Sequence, residues 1–193
     1  LTILIGNNVS KVMKYESDIT LTQASHRYAE HVLTIFREMD SLTKSTANII
    51  SLDLGSHHAN MQDTIDDLST SFDSSSYAEY AYIYLLDPNE SFKNSDYITK
   101  NNHFALFLVD TNRNLKNGIE VYKTTEAFLA DTSIKDVITT KKPTIGEPKH
   151  YNINGKDVFA TDIAYPLINN SKLLGVVGYM YNLNIHQFAS LAF

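Results

Sequence analysis

The stretch from Asn7 to Leu54 contains neither Pro nor Gly. Within it Tyr28, Val32, Ile35, Met39, Leu42, Thr46 and Ile49 follow one another at alternating intervals of four and three residues. That spacing predicts a heptad seam along one long helix. A helix of roughly 40 residues would run about 60 Å at 1.5 Å per residue. So long an element has to gain stability by packing against something else. Gly55 reads as its stop signal. After Ser56-His57-His58, the residues Met61, Ile65, Leu68 and Phe72 repeat the spacing on a second, shorter helix.

The period then changes. Glu79 to Leu86 is rich in aromatic and branched residues and ends at the turn pair Asp87-Pro88. Phe104 to Val109 reads as a second strand and Val121-Tyr122 as a short one. Glu126 to Thr140 reads as a helix with Phe128, Leu129, Ile134, Val137 and Ile138 on its apolar face, closed by Lys141-Lys142-Pro143. Thr144 to Tyr151, Asp157 to Ile168 and Leu173 to Leu183 read as three closing strands. Asn154-Gly155 is a strong hairpin turn, because both residues tolerate positive φ. Asn169-Asn170-Ser171 suits a slightly longer hairpin. The layout is α+β: a long N-terminal helix followed by an antiparallel sheet of five to six strands with flanking helices.

Of 193 residues, 43% are hydrophobic and 20% charged, enough for a real core. The net charge of -6 argues against nucleic acid and against an anionic membrane surface. There is no cysteine, so disulfides and thiolate metal sites are excluded, which fits an oxidising compartment. The ends, Leu1 to Ile5 and Ala189 to Phe193, read as cuts through a larger polypeptide just outside membrane spans.

Most chemical motifs fail. Asp110-Thr111-Asn112-Arg113-Asn114 begins like a calcium loop but has Leu115 where Gly is needed and Val121 where Glu is needed. The pairs His57-His58 and His26/His31 lack ligand spacing, and no nucleophile turn or phosphate loop is present. No metal or cofactor is expected. Tyr80, Tyr82 and Tyr84 alternate, so they share one strand face, as pocket wall or as core. Asp162 stands mid-strand among apolar neighbours, where a carboxylate is costly unless partnered by a ligand amine, Arg113 or Lys123.

The last third carries a resemblance. Thr139-Thr140-Lys141-Lys142-Pro143, Asn154-Gly155-Lys156-Asp157-Val158-Phe159, Ala164-Tyr165-Pro166-Leu167 and Lys172-Leu173-Leu174-Gly175-Val176-Val177-Gly178 occur in that order. This series resembles the Cache family, the PAS-like periplasmic sensors of chemoreceptors, sensor kinases and cyclic-di-nucleotide enzymes. The resemblance implies a helical stalk over 1–76, packing partly on the sheet, and a PAS-like ligand-sensing domain over 77–193, together one unit. It implies the periplasmic domain of a membrane-anchored chemoreceptor, not an enzyme. A histidine kinase, a cyclic-di-nucleotide enzyme and a ligand-free dimerisation module are the alternatives. Homodimerisation through the N-terminal helix is expected. The candidate ligand residues are Tyr82, Tyr84, Phe107, Lys123, His150, Thr161, Asp162, Tyr165 and Met180. Met180 stands where many amino-acid-binding members place an ammonium-holding Asp, and the Arg-x-Trp-Tyr pattern of those members is missing. A short organic acid is therefore favoured over an amino acid, held by cations among Arg113, Lys123, Lys149 and His150.

Overall fold

The computed structural model describes residues 24–56, 59–112 and 118–184. The first helix, α1 (Ala24–Leu54), has 31 residues and extends about 46 Å. Val32, Ile35 and Met39 of the expected seam are fully buried, Leu42 is partly buried, and Ile49 is 50% exposed. The side chain of Tyr28 lies outside the described residues, as do those of His26, His57 and His58. Phe36, Thr43, Ala47 and Ile50 are buried beside the seam. The buried set is thus a wide stripe with the period of a straight helix, and it faces a sheet. A strict 3.5-residue repeat drifts about 20° per heptad on such a helix, which is why Ile49 has rotated out and Ile50 in.

The second helix, α2 (Met61–Asp73), starts at Asn60, whose side chain accepts from the Asp63 N–H at 2.9 Å. It buries Ile65, Leu68 and Phe72 against α1 and the sheet. Then come β1 (Tyr80–Leu85), the four-residue α3 (Glu90–Lys93), β2 (Phe104–Asp110) and β3 (Ile119–Lys123). The helix expected from Glu126 to Thr140 is two helices, α4 (Glu126–Asp131) and α5 (Ile134–Thr140). Thr132 is extended at the break (φ -84°, ψ 171°), and Thr125 and Ser133 precede the two starts. Hydroxyl residues compete with the helix for backbone bonds, and here they serve as ends. Lys141, in the left-handed region (φ 54°), stops α5.

Four more strands follow: β4 (Thr144–Ile145), β5 (Lys149–Ile153), β6 (Lys156–Asn169) and β7 (Lys172–Asn182). The single strand expected from Thr144 to Tyr151 is split by Gly146-Glu147-Pro148, where Pro has no N–H for a ladder. With that split, and with Val121-Tyr122 inside β3, the sheet counts seven strands. Its order is β3-β2-β1-β7-β6-β4, with β5 also pairing β6, and all pairs are antiparallel. Asn154 and Gly155 both have positive φ, as a two-residue turn requires. The second hairpin is equally tight: Asn169 pairs Lys172, and only Asn170 and Ser171, both at positive φ, connect them.

Two cores result. Ala81, Ile83, Leu85, Ile163, Leu167, Val177 and Tyr179 pack under α1 and α2. Tyr82, Phe107, Ala160, Ala164, Val176 and Met180 form the other face, covered by Phe128, Leu129, Ile134 and Val137 of α4 and α5. Polar joints fix α1 to the sheet. The Tyr179 hydroxyl donates to Ser71 Oγ at 2.9 Å and lies 3.0 Å from Thr46 Oγ1, and Thr46 and Ser71 also bond each other. At the tip of the β6–β7 hairpin, the Ile168 N–H donates to Ser51 Oγ and Asn169 Nδ2 to the Ser51 carbonyl, both at 3.0 Å.

Candidate functional site

The second sheet face holds Asp162, the only charged side chain that is fully buried among the described residues. Asp162 lies on β6 and pairs directly with Met180 on β7, which in turn pairs with Tyr80 on β1. One step along, Tyr82 pairs with Gly178, which pairs with Ala164. Gly178 explains the geometry. A Cβ there would lie 2.3 Å from Tyr82 Cζ. With none present, the Tyr82 ring lies over β7 and its hydroxyl donates to Asp162 Oδ2 at 2.6 Å.

The break between α4 and α5 supplies two further donors. The Ser133 N–H reaches Asp162 Oδ2 at 3.0 Å and its hydroxyl reaches Oδ1 at 2.9 Å. Tyr151, on β5, donates to Oδ1 over a longer 3.5 Å. Gly146, in the gap between β4 and β5, gives the carboxylate room, since a Cβ there would sit 2.0 Å from Oδ1. Its N–H donates to the Asp162 carbonyl at 2.8 Å.

Burial raises the Asp162 carboxyl above the ordinary carboxylate range, although the bonds from Tyr82 and Ser133 and the charge of Lys149 oppose it. Burial, then the charge of Asp162, pushes the Tyr82 phenol well up, so it stays a donor. Aromatic rings wall the site. Phe128 stands edge-on to Tyr82 (6.2 Å, 85°), tilts against Phe107 at 5.3 Å and faces Tyr151 at 6.3 Å. Lys149 Nζ lies 5.5 Å from the centre of the Tyr151 ring.

Of the nine candidate residues, Tyr82, Phe107, Asp162 and Met180 come together on this face. Tyr84 shares the face, but its hydroxyl pairs with His103 Nδ1 at the far end of β1. Thr161 and Tyr165 lie on the opposite face. The Thr161 hydroxyl donates to the Gly146 carbonyl at 2.8 Å and the Tyr165 hydroxyl to Asp40 Oδ1 of α1 at 2.7 Å. Lys123 is exposed on β3, and His150 is exposed and bonded to Asp157 at 2.8 Å. Of the two residues expected to partner Asp162, Lys123 is remote in the sheet order, and Arg113 lies outside the described residues. Ser133, Tyr151 and Phe128 were not expected at the site. The only local signal was the Thr132-Ser133 pair inside an otherwise helical pattern.

A separate open depression of about 510 Å³ is bordered by Pro88, Asn101, Asn102 and His103, and none of the nine candidates lines it. Among the described residues no group of three or more His, Cys, Asp or Glu is placed to hold a metal ion.

No protein-family model matches the chain, and no curated protein matches it. Solved structures do. The periplasmic sensory domain of the Campylobacter jejuni chemoreceptor Tlp1 superposes with a TM-score of 0.72 at 25% identity, over 86% of this chain and 59% of that one. The extracellular domain assigned to a histidine kinase, mmHK1S-Z2, gives 0.56 at 11% identity, over 84% and 64%. The ligand-binding domain of the Pseudomonas aeruginosa amino-acid chemoreceptor PctC, solved with GABA, gives 0.50 at 13% identity, over 83% and 58%. The chain therefore spans about three fifths of the length of these domains. Its fold is that of a Cache-like sensory domain, the kind that chemoreceptors and histidine kinases carry outside the membrane.

Proposed function

We propose that this chain is the ligand-binding part of the periplasmic sensory domain of a membrane-anchored chemoreceptor, a binding module and not an enzyme, and that it detects a small polar metabolite. The observation that carries the reading is Asp162, buried among aromatic rings on a sheet face that α4 and α5 cover. A buried carboxylate is expensive to keep in a core that serves packing alone. The fold likeness to chemoreceptor sensory domains supports the same reading. Among the described residues no helix is long and apolar enough to cross a membrane, so the anchor would belong to other parts of the polypeptide.

Residues 1–76 and 77–193 would act as one unit, since α1 covers one sheet face. Ligand entering under α4 and α5 would bias the packing of the sheet, and α1 would carry the change. The test is a calorimetric and thermal-shift screen of small metabolites, followed by amide NMR of Ser133 and Gly146. Saturable binding that moves those two amides is the expected result. Failure across amines, acids and amino acids would overturn direct sensing.

A histidine kinase output fits the same fold, as the likeness to the extracellular domain of mmHK1S-Z2 indicates. Homodimerisation through α1 would have to use its outer surface, where Ile49 and Leu52 are exposed, because Val32, Ile35 and Met39 are covered by the chain's own sheet. The same burial argues against a module whose whole function is a dimer seam.

A further inference from the structure

We propose that Asn154 is a site of spontaneous deamidation, and that its isoaspartyl product loosens β5 and with it the Tyr151 bond to Asp162. The inference goes beyond the sensory reading and does not depend on it.

The chemistry needs an asparagine side chain, the next backbone nitrogen and water. The Gly155 nitrogen gives up its proton to hydroxide and attacks Asn154 Cγ. An N–Cγ bond forms, the Cγ–Nδ2 bond breaks, and Nδ2 leaves as ammonia after taking up a proton. Water then opens the cyclic imide. Attack at Cγ restores the ordinary chain link and leaves an aspartate. Attack at the backbone carbonyl carbon routes the chain through the side chain, as an isoaspartyl residue with one extra main-chain carbon. Nothing is oxidised or reduced. Either product adds one negative charge, taking the net charge from -6 to -7.

The surroundings permit the attack. Asn154 and Gly155 are both exposed, and a Cβ on Gly155 would meet nothing within 4 Å, so the nitrogen is open on that side. Among the described strands β5 pairs with β6 alone, so this hairpin end can fray without disturbing the rest of the sheet. One brake is present: the Gly155 N–H donates to Asn152 Oδ1 at 3.0 Å. The Asn170-Ser171 turn is an internal control. It is equally tight, exposed and at positive φ, but Ser171 carries a Cβ beside the attacking nitrogen. In the other Asn-Gly pair, Asn117-Gly118, the Asn lies outside the described residues.

The product reaches the Asp162 site through β5. Ile153 pairs Lys156 directly, and the turn closes with only two residues at positive φ. An extra main-chain carbon breaks that closure. Strand β5 carries Tyr151, whose 3.5 Å bond to Asp162 Oδ1 is the longest that the carboxylate accepts and the most easily lost.

The experiment incubates the whole chain in warm buffer at pH 7 and pH 8.5 and follows each Asn by peptide mapping, with an isoaspartyl methyltransferase to mark the isoaspartyl product. Asn154 is expected to convert about tenfold faster than Asn170, because Gly155 has no Cβ, and faster at pH 8.5 than at pH 7. Asn152→Ala, which releases the Gly155 N–H, should speed conversion several-fold. In an Asn117→Gln background, the isoaspartyl chain is then separated by its added charge and compared with Asn154→Asp, which has that charge without the extra carbon. The isoaspartyl chain should shift the Tyr151 and Asp162 amides in NMR, and Asn154→Asp should leave them in place. Conversion at Asn154 no faster than at Asn170 overturns the site, whatever the fate of the Asn152→Ala variant. An isoaspartyl chain whose Tyr151 and Asp162 amides match those of Asn154→Asp overturns the coupling to β5. Neither result touches the sensory reading, which the metabolite screen decides.

Discussion

Replacing Gly178 with Ala isolates the contact on which the Asp162 site is built. Gly178 is fully covered, and its φ lies outside the left-handed region, so the backbone itself accepts Ala. The obstacle is Tyr82. The new Cβ would lie 2.3 Å from Cζ, 2.4 Å from Oη and 2.6 Å from Cε1 of a ring with no exposed surface. The ring has to move, and overpacking of this kind costs about 1–3 kcal/mol. Moving it also withdraws the hydroxyl from Asp162, and a hydrogen bond to a charged group contributes about 1.5–3 kcal/mol. The total is about 2.5–6 kcal/mol, or a fall in Tm of about 5–24 °C for a chain of this size. Urea and thermal unfolding measure it directly. The companion is Tyr82→Ala, which itself costs about 3–5 kcal/mol through the cavity left behind. In that background the Gly178→Ala methyl enters vacated space, and its added cost should drop below about 1 kcal/mol. Gly178→Ala costing less than about 0.5 kcal/mol, or the same in both backgrounds, would refute the claim that Tyr82 rests on Gly178.

Three other predictions follow from packing and charge. Because burial raises the Asp162 carboxyl in the folded state, the native chain holds that proton to higher pH than the unfolded chain does, so the stability from this group is fully present at acid pH and is lost as pH rises through the folded value; urea midpoints from pH 4 to 8 should show Asp162→Asn less sensitive to pH than wild type, and parallel curves would contradict this. Tyr179→Phe keeps the stacking on Phe72 (6.0 Å, 15°) but removes the hydroxyl shared by Ser71 and Thr46, so about 1–2 kcal/mol should be lost with an unchanged m-value. Met39→Ala should cost about 2–5 kcal/mol, whereas Leu52→Ala, at a side chain 72% exposed, should stay within about 0.5 kcal/mol in denaturant titrations; equal costs would mean that the buried stripe of α1 has been assigned to the wrong face.

The readability of this fold tracks how local each determinant is. Helix α1 and its stop were legible because a 3.6-residue period and a Gly end are local signals. The use of its apolar stripe was not, since a heptad facing a sister helix and a stripe facing a sheet differ only by a slow drift visible at Ile49 and Ile50. The Asn154-Gly155 turn was legible for the same local reason, while Asn170-Ser171 passed for a longer loop because Ser rarely adopts positive φ. Asp162 was conspicuous as a charge within an apolar strand. Its donors were hidden, because Tyr82 is 80 residues away in sequence and reaches across an intervening strand. The separation of Thr161 and Tyr165 from the site was within reach of the sequence. Both are an odd number of residues from Asp162 on one strand, so the two-residue period already sends them to the other face.

The clasp between the β6–β7 hairpin and the end of α1 determines which motions the domain can make. Both of its bonds converge on Ser51, one on the side chain and one on the carbonyl, and the Asn169 amide lies so close to Gly55 that a Cβ there would come within 2.0 Å of it. A slide of α1 along its axis by a single residue, about 1.5 Å, would break both bonds and drive the helix end into that amide. Translation is therefore the stiff coordinate. Rotation about Ser51 keeps both bonds of the clasp and is resisted instead by the packing of Val32, Ile35 and Met39 and by the Tyr165 bond to Asp40. With about 40 Å of helix between Ser51 and Ala24, a tilt of only a few degrees displaces that far end by about 2–3 Å. Strand β6, which ends in the clasp, also carries Asp162, so the clasp and the buried carboxylate belong to one strand, joined across the irregularity in its pairing between Leu167 and Ile168.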